Sequence, residues 1–374
     1  MVFNFLIITH VQHVSKRDMF FGYSPYVNEM NIWNKYCDEV ILVAPLIVDD
    51  LNPIYTEYTA KNITFVKIPS FNLISLKSVI LSFFAVLRII WTLVINMRQA
   101  DHIHLRCPGN IGLLGCIVQI AFPSKSKTAK YAGNWDPKSK QPLSYRMQKW
   151  ILSNTFLTRN IQVLVYGEWE GSTKNIKPFF TATYFETDKL PLSSLDLKQK
   201  IKFVFVGTLS KGKNPLYTIQ LTEGLYQKGF DVTLDIYGEG IERVALEDYI
   251  RKNKLEGIIS LKGNQTSEVV KKAYQNSHFS ILPSKSEGWP KAIAEGMFFG
   301  CVPIATSVSC VPFMLGHGER GVLLQMNLAN DIAQLESVLN NESDFENMRK
   351  KASEWSRNYT LNVFEEEVKR LLKG

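Results

Sequence analysis

Along the first half of the chain, short apolar runs alternate with longer stretches whose apolar residues recur at helical spacing. The runs cover 4–10, 39–45, 63–69, 101–106, 128–133 and 161–167. Near-continuous runs of this length predict strands buried on both faces, and the helical stretches between them predict a parallel, doubly wound sheet. After Tyr184 the pattern lapses into a polar segment with one proline, 186–200, which reads as an interdomain linker. A second set of runs follows at 202–207, 232–238, 258–263, 278–282, 302–306 and 321–324. At 374 residues the chain exceeds the usual size of one core. The fold class is therefore α/β, with a first domain over 1–190 and a second over 200–355. In sheets of this kind ligands sit beyond the carboxyl ends of the strands, and a cleft between two such halves suits a reaction between two substrates.

Two segments bear on location. Residues 2–10 lack a basic leader and a small-residue cleavage site, and read as a first buried strand, not a signal peptide. Residues 73–97 form the one candidate membrane element, but Lys77 and Arg88 interrupt it, leaving an apolar stretch shorter than the ~20 residues that span a bilayer. One or two helices packed on the sheet is the first reading; a helix lying at the bilayer surface, basic residues toward headgroups, is the second.

Charge is shared unevenly. Residues 1–195 hold 20 Lys and Arg against 13 Asp and Glu, whereas residues 196–374 hold 23 against 22. Clusters such as Lys125, Lys127 and Lys130, then Lys138, Lys140, Arg146 and Lys149, suit anionic lipid or a phosphorylated acceptor, with solvated helix faces as the plain alternative. No nucleic-acid partner is expected, because no helix-turn-helix, zinc or aromatic RNA-binding signature accompanies the charge. Five scattered cysteines without metal-ligand spacing favour a reducing, cytoplasmic setting.

The candidate chemistry centres on 283–303, PSKSEGWPKAIAEGMFFGCVP. The strand at 278–282 is broken by Pro283, Ser284 and Gly288, and Pro290 suits a first helical turn. Backbone N–H groups around Gly288, Trp289, Lys291 and Ala292 then face the space beyond the strand, where the helix dipole favours a phosphate. Glu287 lies in the loop, and Glu295 about a turn into the helix, where a carboxylate can accept bonds from two ribose hydroxyls. Spacing by itself also allows an N-terminal helix charge and an i, i+4 partner for Lys291. Upstream, Gly207 ends a strand and Lys211 and Lys213 precede a helix start near Pro215; Gly238 and Gly263 end the next two strands.

These motifs, in this order over roughly 201–325, resemble the donor site of the retaining glycosyltransferases of family 4, the glycosyl transferases of group 1. The resemblance rests on Pro283-Ser284, Glu287-Gly288, seven residues between Glu287 and Glu295, and Gly300-Cys301-Val302-Pro303. It implies a GT-B fold of two facing Rossmann-like domains and a final helix, 356–374, packing back on the first. It also implies a nucleoside diphosphate sugar donor of UDP or GDP type. Glu295 would hold the ribose, Lys213 and the helix start at Pro290 the diphosphate, Glu287 the donor sugar, and Gly263 with Asn264 the edge of the base. Thr208 stands where the family has an arginine, so only a neutral hydrogen bond is available there.

The first half departs from the family. The loop after the first strand carries Gly22 where relatives have a glycine pair, and the loop after the fifth strand reads YAGNWDP, with Asn134 or Asp136 where relatives often have a histidine. Together with Arg106 these are the acceptor-side candidates; His104 reads as a core histidine, and the triple glutamate near the carboxyl end as a solvated face. The resemblance implies sugar transfer to a glycan or lipid-linked acceptor in bacterial surface polysaccharide or glycan assembly, at the inner face of a membrane. No Asp-x-Asp motif is present, so no metal or cofactor is expected. A sugar-nucleotide epimerase, with Asp136 as its plain acid/base candidate, and a non-catalytic sugar-nucleotide-binding protein remain the alternatives.

Overall fold

The structure, a computed structural model, describes residues 2–48, 54–69 and 76–373. The chain divides into two compact units, Met1–Phe179 with Phe364–Gly374, and Phe180–Val363.

Unit 1 opens with β1 (Asn4–Ile8), β2 (His13–Lys16), β3 (Met19–Tyr23), α1 (Ser24–Asn34), β4 (Glu39–Ile47), β5 (Tyr55–Glu57) and β6 (Ile63–Ile68). It continues with α2 (Leu76–Gln99), β7 (His102–Cys107), α3 (Asn110–Val118), β8 (Ser126–Tyr131), α4 (Leu143–Ser153), β9 (Ile161–Tyr166) and β10 (Ile176–Phe179). Among the described residues the strand order is β10-β9-β8-β7-β1-β4-β2-β3-β5, with β6 also paired to β4. The pairs from β10 to β4, and β4 with β6, are parallel. Phe5 to Ile8 are wholly buried, as a central strand covered on both faces requires. Leu6, Ile8, Ile103 and Leu105 pack with Ile89, Leu93 and Met97 of α2 and with Ile151 and Leu152 of α4.

One expectation for this half is corrected. The stretch after β1 is not an open loop: β2 and β3 form an antiparallel hairpin whose turn places Arg17 and Asp18 at φ 52° and 60°. Two consecutive left-handed residues make the turn type that matches strand twist, but Arg-Asp lacks the Asn-Gly signature that would have revealed it. Of the one or two helices expected within 73–97, the structure has α2; residues 73–75 lie outside the described residues. No helix among the described residues is long and apolar enough to cross a membrane.

Unit 2 runs β11 (Ile201–Val206), α5 (Pro215–Gln227), β12 (Val232–Tyr237), α6 (Arg243–Lys252), β13 (Ile259–Gly263), α7 (Ser267–Gln275) and β14 (Phe279–Leu282). It ends with α8 (Lys291–Phe298), β15 (Val302–Thr306), α9 (Val311–Met314), β16 (Val322–Leu324), α10 (Leu328–Leu339), α11 (Glu342–Ser356) and the start of α12 (Leu361–Lys373). The order β13-β12-β11-β14-β15-β16 is parallel throughout. The chain builds outward from β11 to β13, then returns to the other side of β11. That reversal makes the β11–β14 boundary a topological switch point, where diverging loops leave a crevice.

The segment 186–200 belongs to unit 2 and is not a free linker. Lys271 pairs with Asp188 at 2.6 Å, Arg357 donates to the Leu190 carbonyl at 2.6 Å, and Arg349 donates to that of Ser193. Two of its carbonyls are thus satisfied by arginines that arrive from α11 and just beyond it. At the other end of the chain, Phe364 sets its ring 5.5 Å from that of Phe179 in unit 1. Within the triple glutamate, Glu365 is not merely solvated: it accepts from Lys35 at 3.2 Å and from the Tyr36 hydroxyl.

Candidate functional site

The switch point of unit 2 brings together the loops after β11 and β14. The N–H of Lys285 donates to the Gly212 carbonyl at 2.8 Å, and Lys213 Nζ reaches Glu287 Oε1 at 2.5 Å. Glu287 is nearly enclosed, its side chain 8% exposed, while Lys213 keeps 31% of its side chain in solvent. An enclosed carboxylate thus holds a lysine whose other face is open. Asn214, left-handed at φ 54°, turns the chain into α5 with Pro215 at its first turn.

Across the rest of the sheet edge the loops are laced. Gly207 N–H bonds to the Tyr237 carbonyl, Leu209 N–H to that of Glu239, and Gly238 N–H to that of Gly263, each at 2.9 Å. A Cβ on Gly238 would stand 2.0 Å from the Gly207 carbonyl oxygen, so no larger residue fits there. Thr208, Lys211 and Asn264 are exposed on this edge. Sequence reasoning missed one cation in the same cluster. Arg243, at the start of α6, bonds Glu239 at 2.5 Å and Glu247 at 2.8 Å, beside Gly263. Its only signal in the sequence is a pair of i, i+4 contacts, which usually mark a solvated helix face.

α8 begins at Lys291, with Pro290 at its N-cap, one place before the expected first turn. The N–H groups of Lys291 and Ala292 belong to the first turn and lack intrahelical partners. The Gly288 carbonyl accepts from the Cys310 thiol at 2.9 Å, which fixes the loop against α9. Trp289 contributes only backbone to the edge, because its indole is buried and stacks on Trp355 at 6.0 Å. Glu295 sits in a recess lined by Thr183, Tyr184, Trp289, Lys291 and Tyr359. The Thr183 hydroxyl donates to it at 2.8 Å. Burial raises its carboxyl above the ordinary value, against the pull of Thr183 and of the Lys291 charge. Glu287 and Lys213 therefore meet directly, whereas Glu295 is held one turn away by its own partner.

In unit 1 the acceptor-side candidates do not form one open cluster. Gly22 is a buried strand residue facing His13 and Val27, not a loop glycine. Arg106 is drawn into a buried network: it meets Glu29 at 3.1 Å, and Lys130 meets the other carboxylate oxygen at 2.7 Å. Asn134 and Asp136 shape the turn they stand in, accepting from the N–H groups of Asp136 and Lys138 at 2.8 Å each. His104 is fully buried, bonded to the Thr128 hydroxyl at 2.9 Å. A residue not named from sequence, His10, stands exposed just past β1, with Gly109 so close that a Cβ there would lie 2.8 Å from its Nδ1. Although one side of the ring reaches solvent, desolvation by the protein packed around it, and then the nearby Arg106 charge, lower its pKa. Its signal was position, the first residues beyond the first strand.

Comparison with known proteins bears on both units. The solved lipopolysaccharide outer core galactosyltransferase WaaB superposes over 100% of this chain and 99% of its own, with a TM-score of 0.70 at 15% identity. The fold is GT-B. The Anabaena HepE structure, solved with UDP, also covers 100% of both chains, with a TM-score of 0.68 at 14% identity. Within this GT-B chain, residues 189–355 match the family model of the glycosyl transferases group 1. An uncharacterized glycosyltransferase of Haemophilus influenzae is 27% identical over 49% of this chain and 52% of its own. The chain spans about half the length, or less, of the curated relatives it matches.

Proposed function

We propose that the chain is a retaining glycosyltransferase that moves a sugar from a nucleoside diphosphate sugar, of UDP type, to a glycan or lipid-linked acceptor in surface polysaccharide assembly. The observation that carries this reading is the Lys213–Glu287 pair at the switch point, with two helix starts and Glu295 around it. A diphosphate arriving there replaces Glu287 as the partner of Lys213, since a phosphate oxygen offers the lysine a stronger charge-assisted bond and the open face of Lys213 allows the exchange. Glu287 is thereby released to accept from donor-sugar hydroxyls. Lys213 and the first-turn N–H groups of α8 stabilise the charge that develops on the departing diphosphate. On the retaining reading the same diphosphate accepts the acceptor's proton, so no protein base is required. Support for UDP comes from HepE, solved with that nucleotide.

The epimerase alternative keeps Asp136 as its plain acid/base candidate, one of whose carboxylate oxygens accepts from the Lys138 N–H in its own turn. The reading is tested by a thermal-shift screen of UDP, GDP and their sugars with and without EDTA, followed by calorimetry of Glu295→Ala. A UDP-specific rise that EDTA does not change is expected, together with a weakening of UDP binding by about tenfold in the variant, the loss of one or two charge-assisted bonds. A dissociation constant identical to that of the wild type would remove Glu295 from the ribose.

A further inference from the structure

The outward faces of two helices in unit 1 invert the usual pattern. α2 buries Ile89, Leu93 and Met97 on the sheet, yet its opposite face presents Leu87, Trp91 and Ile95, with Trp91 68% exposed. α4 does the same at i, i+4, i+7: Leu143, Met147 and Trp150 face outward, Trp150 at 62% exposure. α3 packs against both helices and adds the exposed Ile117, so the three form one layer with a shared outer surface. Several large apolar side chains adjoining on one face exceed the scattered exposure normal for a monomer.

The charged residues on this surface have one sign. Arg88 and Arg98 on α2 and Arg146 on α4 are exposed and, among the described residues, have no carboxylate partner. Between residues 58 and 167 the only acidic side chains are Asp101 and Asp136. Both are engaged elsewhere, accepting from the N–H groups of Asn4 and Lys138. Tryptophans flanked by arginines, without acids, match the boundary between acyl chains and anionic headgroups: the rings fill the interface while the guanidiniums bind phosphate.

We propose that the α2–α3–α4 face docks on a bilayer containing anionic phospholipid, with Trp91 and Trp150 inserted and Arg88, Arg98 and Arg146 on the headgroups. The inference is independent of the proposed function, since none of these residues belongs to the donor site of unit 2. The test is flotation of the full chain with vesicles of pure phosphatidylcholine or with one-third phosphatidylglycerol, alongside ultracentrifugation without lipid. Binding is expected for the anionic vesicles only, falling about fivefold for each of Arg88→Gln and Arg146→Gln. Trp91→Glu with Trp150→Glu should reduce it at least tenfold, with an unchanged thermal midpoint because both side chains lie outside the core. Equal binding to both vesicle types, or binding indifferent to these substitutions, overturns the proposal. So does a dimer in the absence of lipid that the two glutamates dissolve, which would make the face a contact between copies.

Discussion

The sheet of each unit contains a parallel run with a switch point, between β1 and β7 in one and between β11 and β14 in the other, and the two units use it differently. In unit 2 the cation at the switch point, Lys213, is partly open and balanced by one carboxylate. Unit 1 instead sequesters its cations: Glu29 holds both Arg106 and Lys130, and the side chain of Lys130 is only 1% exposed. A half-open pair can exchange its partner for a ligand at little cost. A buried triad cannot, because its charges are held together in a medium that solvates them poorly. Topology supplies the crevice in both units, and burial of the charges decides whether they are available for chemistry.

The sharpest way to break this contrast is at Glu287. Glu287→Gln should lower the rate of sugar transfer by about a thousandfold, the scale of losing one group aimed at the reacting centre, with a thermal midpoint close to wild type. Wild-type turnover would place the chemistry elsewhere. The matching change in unit 1, Glu29→Gln, should act on stability instead. It removes the charge that Arg106 and Lys130 share and should cost about 3 kcal/mol in denaturant unfolding. A loss below 1 kcal/mol would show that the triad is no more constrained than the Lys213 pair.

Acid should separate the units next. Burial pushes His13 and His102 down to about 4 and His104 to about 3, whereas the unfolded chain protonates near 6.5. Below pH 6.5 the unfolded state therefore binds more protons than the folded one, and stability falls with pH until the folded values are reached. Each histidine contributes a slope of up to about 1.4 kcal/mol per pH unit. In unit 2, His278 is also lowered by burial. Calorimetry from pH 7 to pH 5 should accordingly show unit 1 losing stability first; parallel loss in both units would contradict this. The smallest effect is expected at Thr208. Thr208→Arg should tighten UDP binding about fivefold by adding a charge-assisted bond on the exposed edge of β11.

Much of the architecture was legible because its signal is local. Six strand runs in the second half correspond to β11 through β16, since a buried parallel strand must be apolar along its length. The hairpin of β2 and β3 was not legible: only its pairing with β4 and β5 buries His13 and Val14, and its turn lacks the usual residues. The polar segment 186–200 misled for a related reason, because the arginines that satisfy it arrive from more than a hundred residues away.

The same division runs through the site. Sequence by itself determined which side chains stand at strand ends and helix starts, among them Glu287, Glu295, Lys213 and Gly238, because turn chemistry and periodicity are encoded within a few residues. Only tertiary structure decided that Lys213 pairs with Glu287, that Glu295 is held by Thr183, and that Arg106 is locked away by Glu29. Those pairings depend on strand order and burial, which bring together residues 74, 112 and 77 positions apart and which no local pattern records.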